Sequence, residues 1–287
     1  MSFKYFVIIG TMRSGSNFLE QQLAESEEVA TYGEAFNPAF MGGPRHDTLA
    51  GWTVEGRDRD PLGFLSVLID DAAPRIPGFR LFDGHSQPVL NHVLEDPDGA
   101  VIVLSRDPAE SFVSLKIAEA TGQWLLKSPR RRKRARILFD PEAYDRYSRS
   151  LEAFYRNVDA RLARVGKTAF RIDYDSLSSR SAILKLAEFL GFEVTSAISA
   201  PEIIRQNPEP LQDKVSNPQE MLAHLRRLPE TSGAPDLQPA SWVSSRHLEV
   251  AWARMPGQAE ILGLAVLDTL EALSEVRNIR PNQALRR

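Results

Sequence analysis

The most constraining feature of this chain is its first strand-loop-helix pattern. Tyr5-Phe6-Val7-Ile8-Ile9-Gly10 is an unbroken apolar run, followed by a small polar segment, Thr11 to Ser16, and then by Phe18, Leu19 and Leu23 at helical spacing. A run with no polar face suits a strand covered on both sides, the situation of strands in parallel sheets with helices packed on each face. The connecting loop is Gly10-Thr11-Met12-Arg13-Ser14-Gly15-Ser16-Asn17. Backbone N–H groups of such a loop and the positive end of the following helix hold anions well, although an ordinary strand-to-helix turn has the same spacing. The two glycines are placed as in the phosphate loop of nucleotide hydrolases, but Ser16 and Asn17 stand where those enzymes carry Lys and Ser or Thr. The cation of this loop is Arg13.

The pattern recurs. Ala100-Val101-Ile102-Val103-Leu104-Ser105 is a second apolar run, after which Asp107 is a good N-cap, Pro108 fits the first helical position and Glu110 completes a capping-box pattern. That helix runs through Phe112, Val113, Leu115 and Ile117 towards Thr121-Gly122. A longer helix opens at Asp140-Pro141 and carries Tyr144, Tyr147, Leu151, Phe154, Val158, Leu162 and Val165 three or four residues apart, with Gly166 as its stop; this stripe reads as core. Thr168 to Ile172 reads as a strand, and Ile183, Leu186, Ala187 and Leu190 as one face of a helix closed by Gly191. Strands alternating with helices predict an α/β fold with a parallel sheet in a three-layer sandwich. Residues 40 to 60, rich in Gly, Asp and Arg, and residues 205 to 240, rich in Pro, read as loops, with Gly42-Gly43-Pro44 as a hinge. A helical tail from Gln258 to Val276 completes one expected domain over residues 1–287, its segment from about 220 onward packed on the core.

Composition removes several classes of function. The 287 residues contain no cysteine, which excludes disulfides, thiol catalysis and thiolate zinc sites. A net charge of -3 gives no overall field for nucleic acid, so an anion site must be local. The basic run from Arg130 to Arg136 lacks the interleaved aromatics of a single-strand groove and reads as a solvated loop, with an anionic acceptor or a membrane surface as the alternatives. No apolar run reaches the ~20 residues of a membrane span and no signal-peptide pattern opens the chain, so a cytoplasmic location is expected. No cluster of His and carboxylates has metal spacing, so no metal is expected.

The segment Gly10 to Leu19 resembles the 5′-phosphosulfate loop of sulfotransferases that use 3′-phosphoadenosine 5′-phosphosulfate (PAPS), where the basic residue precedes the Ser-Gly pair as Arg13 does here. Arg106-Asp107-Pro108-Ala109-Glu110-Ser111-Phe112-Val113-Ser114 resembles that family's 3′-phosphate motif, including the separation of Arg and Ser. Tyr32-Gly33-Glu34 resembles the Gly-Glu pair of tyrosylprotein sulfotransferases, and Thr121-Gly122-Gln123-Trp124 is similar to bacterial trehalose-type and related carbohydrate sulfotransferases. Arg171 to Leu177 and Asp213 to Asn217 resemble the family's strand-end tyrosine and C-terminal lysine segments. From about residue 220 onward nothing diagnostic of the family appears.

The resemblance implies a P-loop sulfotransferase fold and transfer of a sulfuryl group from PAPS to a hydroxyl of a carbohydrate, glycolipid or small metabolite. It places Arg13, Ser14, Gly15, Ser16 and Asn17 on the phosphosulfate, Arg106 and Ser114 on the 3′-phosphate, Tyr174 along the nucleotide and Lys214 against the phosphosulfate. Arg13 would also stabilise charge developing on the bridging oxygen, an effect worth ~3 to 4 kcal/mol for comparable preorganised donors. Glu34 is the first candidate for the base that takes the acceptor's proton, with His85 as the alternative and His46 as a further rival. Two other readings share the pattern: a P-loop kinase or nucleotidase, and a non-catalytic module that binds nucleotide or sulfated glycan.

Overall fold

The computed structural model describes residues 3–126, 128–192 and 206–227. The sheet strands are β1 (Tyr5–Gly10), β2 (Val29–Thr31), β5 (Ile76–Phe82), β6 (Gly99–Ser105) and β7 (Phe170–Asp173), and they pair in the order β2-β5-β1-β6-β7, all parallel. Strands β3 (Thr48–Leu49) and β4 (Trp52–Thr53) form a small antiparallel hairpin apart from it. The helices are α1 (Ser16–Ala24), α2 (Val54–Arg59), α3 (Pro61–Ala72), α4 (Gln87–Glu95), α5 (Pro108–Thr121), α6 (Pro141–Val165), α7 (Arg180–Leu190) and α8 (Pro218–Leu225).

Each face of the sheet has its own core, which explains the unbroken apolar runs. Val7, Ile9, Val101 and Val103 pack with residues of α3 to α6, whereas Phe6, Ile8, Ala100, Ile102 and Leu104 pack with residues of α1 and α7. Successive strand residues point to opposite faces, so a strand covered on both sides is apolar at every position. The tyrosines and aliphatics of α6 lie in the first core as their spacing predicts, except Val165, which is exposed. Asp140 caps α6 by accepting from the N–H groups of Glu142 and Ala143, and Gly166 closes it at φ 67°.

Two expectations are corrected. Residues 40 to 60 are not simply a loop: they hold the β3-β4 hairpin and α2, whose buried Arg57 donates to the carbonyls of Ala35 (3.1 Å), Asn37 (2.7 Å) and Phe40 (3.0 Å). The capping box at α5 is half formed. Asp107 accepts from Glu110 N–H at 2.8 Å, but the Glu110 carboxylate turns to Arg106 and Lys214 instead of to the cap. Of the expected C-terminal segment, α8 is present and packs through Met221, while the helix expected from Gln258 to Val276 lies outside the described residues.

Candidate active site

The site gathers where β1 ends. In this strand order the neighbours of β1 are reached by crossovers in opposite directions, and ligands of such sheets bind in the crevice beyond the strands' carboxyl ends at that switch. The loop from Gly10 to Ser16 turns tightly. Ser14, fully buried, donates its hydroxyl to Thr11 O at 2.7 Å, Arg13 takes a left-handed backbone (φ 69°), and Gly15 caps α1 at φ 95°. A left-handed non-glycine residue costs ~1 to 2 kcal/mol, and such strain concentrates where a side chain must be aimed. A Cβ on Gly15 would stand 2.6 Å from Tyr174 Cδ2, so glycine is required there for space as well as for φ.

The Arg13 guanidinium is held on three sides. Nε donates to Ser114 Oγ (3.1 Å) on α5, one terminal nitrogen to Trp124 O (2.7 Å), and the other to Gln206 Oε1. Burial, with Arg106 nearby, lowers its pKa to about 10, which leaves it charged at neutral pH. Arg106, just after β6, keeps only 7% of its side chain exposed: it donates to Arg13 O at 2.8 Å, ion-pairs with Glu110 at 3.2 Å and lies over the Tyr174 ring, 4.0 Å from its centroid. Lys214 completes this cluster, its buried ammonium 2.8 Å from Glu110. Glu110 is thus the shared counter-ion of Arg106 and Lys214.

A cavity of about 220 Å³ opens onto these groups, lined by Arg13, Gly15, Ser16, Asn17, Arg106 and Tyr174, with Phe18, Trp124 and Leu177 among its apolar contacts. Of the residues expected around a donor, these six meet in one place. Ser14 and Ser114 stand behind the wall as supports for the loop and for Arg13, and Lys214 reaches the cavity only through Glu110 and Arg106. Asp175 is the one acidic side chain of the lining, against two guanidinium groups, so the cavity is disposed towards an anion.

No family model matches the chain. It is 28% identical to Nodulation protein H of Rhizobium tropici over 233 residues, 77% of this chain and 88% of that protein. Among solved structures it is similar to a sulfotransferase from Alicyclobacillus acidocaldarius, with 16% identity, a TM-score of 0.42 and coverage of 79% of this chain and 95% of that one. It is also similar to the sulfotransferase domain of the Synechococcus PCC 7002 olefin synthase, with 16% identity, a TM-score of 0.40 and coverage of 86% and 92%. Among the described residues no helix is long and apolar enough to cross a membrane, and no group of three or more His, Asp or Glu is placed to hold a metal ion.

The two residues that the sequence offers first as proton acceptors, Glu34 and His85, lie on the other side of β1. Glu34 follows β2 and is not among the residues lining the cavity. Its Oε1 accepts from Arg80 at 2.8 Å and its Oε2 from Asn37 Nδ2 at 2.8 Å, which leaves lone pairs on both oxygens. Burial raises its pKa, opposed chiefly by the Arg80 charge. His85 is placed beside it, Nε2 3.7 Å from Glu34 Oε2. Its Nδ1 accepts from Phe82 N–H at 3.3 Å and its Nε2 lies 3.4 Å from Asn37 Nδ2, and burial together with the charges of Arg80 and Arg57 lowers its pKa to about 3. An imidazole held that far below neutrality is a weak base, which favours Glu34. His46 is exposed on the loop before β3.

Sequence reasoning missed Arg80, Glu20, Asn37, Glu110 as a counter-ion, and Gln206. One signal was available: Arg80 is a lone charge inside the apolar segment Ile76 to Phe82, and a charge there needs a buried partner. The basic run is largely structural. Arg132 pairs with Glu209, Lys133 donates to Thr121 O and Arg136 to Val215 O, stapling this segment to its neighbours.

Proposed function

We propose that this protein transfers a sulfuryl group from PAPS to a hydroxyl of a carbohydrate, glycolipid or other small metabolite. The observation that carries the reading is the cavity at the end of β1, where the N-terminus of α1, Arg13, Arg106 and Tyr174 converge. The residues suit the donor: two guanidinium groups and the N–H groups at the start of a helix match a ligand with phosphates at two places, and an aromatic ring beside Arg106 suits a nucleotide. When bound, PAPS supplies the sulfuryl group, and its transfer leaves negative charge on the phosphate side.

Arg13 is the residue that would meet that charge. It is charged at neutral pH, and its three protein contacts are neutral oxygens, so an anion adds a stronger partner than any it has. Arg106 would select a 3′-phosphorylated nucleotide over ADP or ATP, with Ser114 acting through Arg13 rather than on the ligand. Glu34 would take the acceptor's proton, its raised pKa bringing it closer to the operating pH of a general base. Trp124, which lines the cavity, offers an apolar face to the acceptor.

The test is calorimetric titration with 3′-phosphoadenosine 5′-phosphate (PAP) and with ADP, in the wild type and in Arg106→Ala. PAP is expected to bind at least about tenfold tighter than ADP, a difference of ~1.4 kcal/mol, and Arg106→Ala is expected to abolish the preference. Equal affinity for the two nucleotides, or magnesium-dependent ATP binding that survives Arg106→Ala, would replace this reading with the kinase or nucleotidase.

A further inference from the structure

Three charged residues far apart in the sequence, Glu20, Arg80 and Glu34, form one buried chain of charges. Glu20 lies four residues into α1, which at 1.5 Å per residue is ~6 Å along the helix from Ser16 in the phosphate loop. Its Oε1 accepts from Gly33 N–H at 2.8 Å, and its Oε2 ion-pairs with Arg80 Nε at 2.8 Å. Another nitrogen of the same Arg80 guanidinium reaches Glu34 at 2.8 Å, and Asn37 holds the far oxygen of Glu34. Arg80 is fixed in turn by its strand, where it sits opposite Ile8 of β1, and by its own N–H, which donates to Gly33 O at 2.7 Å. Glu20 and Arg80 therefore grip Gly33 from both its N–H and its carbonyl, one residue before Glu34.

We infer that Glu20 and Arg80 are positioning residues that tie Glu34, the proposed proton acceptor, to the helix carrying the phosphate loop, so that the carboxylate is set in place by the same element that binds the donor. This role rests on the proposed function. The geometry suits it because a guanidinium is planar and rigid, and two of its nitrogens can fix two carboxylates relative to each other as a flexible ammonium cannot. The other charged and titratable groups around Glu34 do not duplicate the link. His85 packs beside it as a neutral ring, and Arg57 is committed to Asp58 and to the backbone of the loop from Ala35 to Phe40.

The experiment follows Glu34 directly by NMR in the full chain labelled with [13Cδ]glutamate, using Glu34→Gln to identify its signal and PAP as the ligand. In the wild type, saturation with PAP is expected to move the Glu34 signal. In Glu20→Gln and Arg80→Lys that response is expected to be lost while PAP affinity stays within about threefold. Arg80→Met, which also removes the charge, is expected to raise the Glu34 titration midpoint by about 1 to 3 pH units; if it does not fold, the other two variants decide. Folded variants that bind PAP and keep the wild-type response would overturn the positioning role, as would a wild type that binds PAP with no response at Glu34. A wild type that does not bind PAP at all overturns the reading of the donor site, and this role with it.

Discussion

Gly15→Ala is the sharpest probe of how the phosphate loop is built. The residue lies at φ 95°, where an L side chain is strained, and the added methyl would stand 2.6 and 2.9 Å from two atoms of the Tyr174 ring and 2.8 Å from Leu177 Cδ1. The backbone contribution is ~1 to 2 kcal/mol, and forcing a methyl into a packed site adds ~1 to 3 kcal/mol. Gly166 carries the first contribution alone, since it has φ 67° at the end of α6 but nothing within 4 Å of a built Cβ, so the difference between the two substitutions is the second. Gly15→Ala is therefore expected to lose ~1 to 3 kcal/mol more than Gly166→Ala, or about 3 to 10 °C more in thermal midpoint for a domain of this size. The ring that must yield is the one beneath Arg106. Gly15→Ala should therefore also weaken PAP binding, whereas Gly166→Ala should not. Thermal melts of the two variants beside the wild type, with calorimetry for PAP, measure both effects. Equal destabilisation by the two substitutions, with PAP affinity unchanged in both, would refute the contact between the loop and Tyr174.

Tyr174→Leu removes the ring under Arg106 and is expected to weaken PAP binding by about 3- to 30-fold, corresponding to ~0.5 to 2 kcal/mol for a cation on an aromatic face, while Tyr174→Phe keeps most of the affinity; equal losses in the two would assign the effect to the hydroxyl. His85 carries the expected acid sensitivity. Its pKa falls from 6.5 to about 3 on folding, so the neutral ring contributes stability that is complete above pH 6.5 and is lost as the pH falls towards 3. Between pH 7 and pH 4.5 the wild type should lose ~2 to 3 kcal/mol more than His85→Gln. Parallel denaturant-derived stabilities for the two proteins over that range would count against a buried neutral His85.

What the sequence disclosed depended on whether the controlling interactions were local. The strand of Tyr5 to Gly10, that of Gly99 to Ser105, and the helices opening at Pro108 and Pro141 carry their periodicity and caps within a few residues, and each was legible. β5 was not. Gly78 and Arg80 break its apolar run, and each is explained only by neighbours from elsewhere in the chain: a Cβ on Gly78 would stand 1.9 Å from the Phe6 ring, and Arg80 answers Glu20 and Glu34. The same division holds in the site. Arg13 and Arg106 were legible because both belong to compact motifs at strand ends. The parts taken by Ser114 and Lys214 were not, because the distances that commit Ser114 to Arg13 and Lys214 to Glu110 span about a hundred residues of sequence.

The strand order gives this division a functional meaning. Arg106 and Tyr174 follow β6 and β7 on one side of β1, while Glu34 follows β2, and Arg80 and His85 lie on or just after β5, on the other side. A parallel sheet alone would leave the two halves independent, each fixed by its own strands. What joins them is α1: its first turn borders the cation-lined cavity, and one turn later Glu20 binds Gly33 N–H and Arg80. A displacement of this helix when an anion seats at its N-terminus would therefore be carried to the Glu34 carboxylate through two buried contacts, each 2.8 Å long, rather than through a mobile loop. If the two halves act on one transferred group, the helix between them is the element that must hold their separation, which is why a single carboxylate on α1, one turn beyond the phosphate loop, is expected to matter to the site.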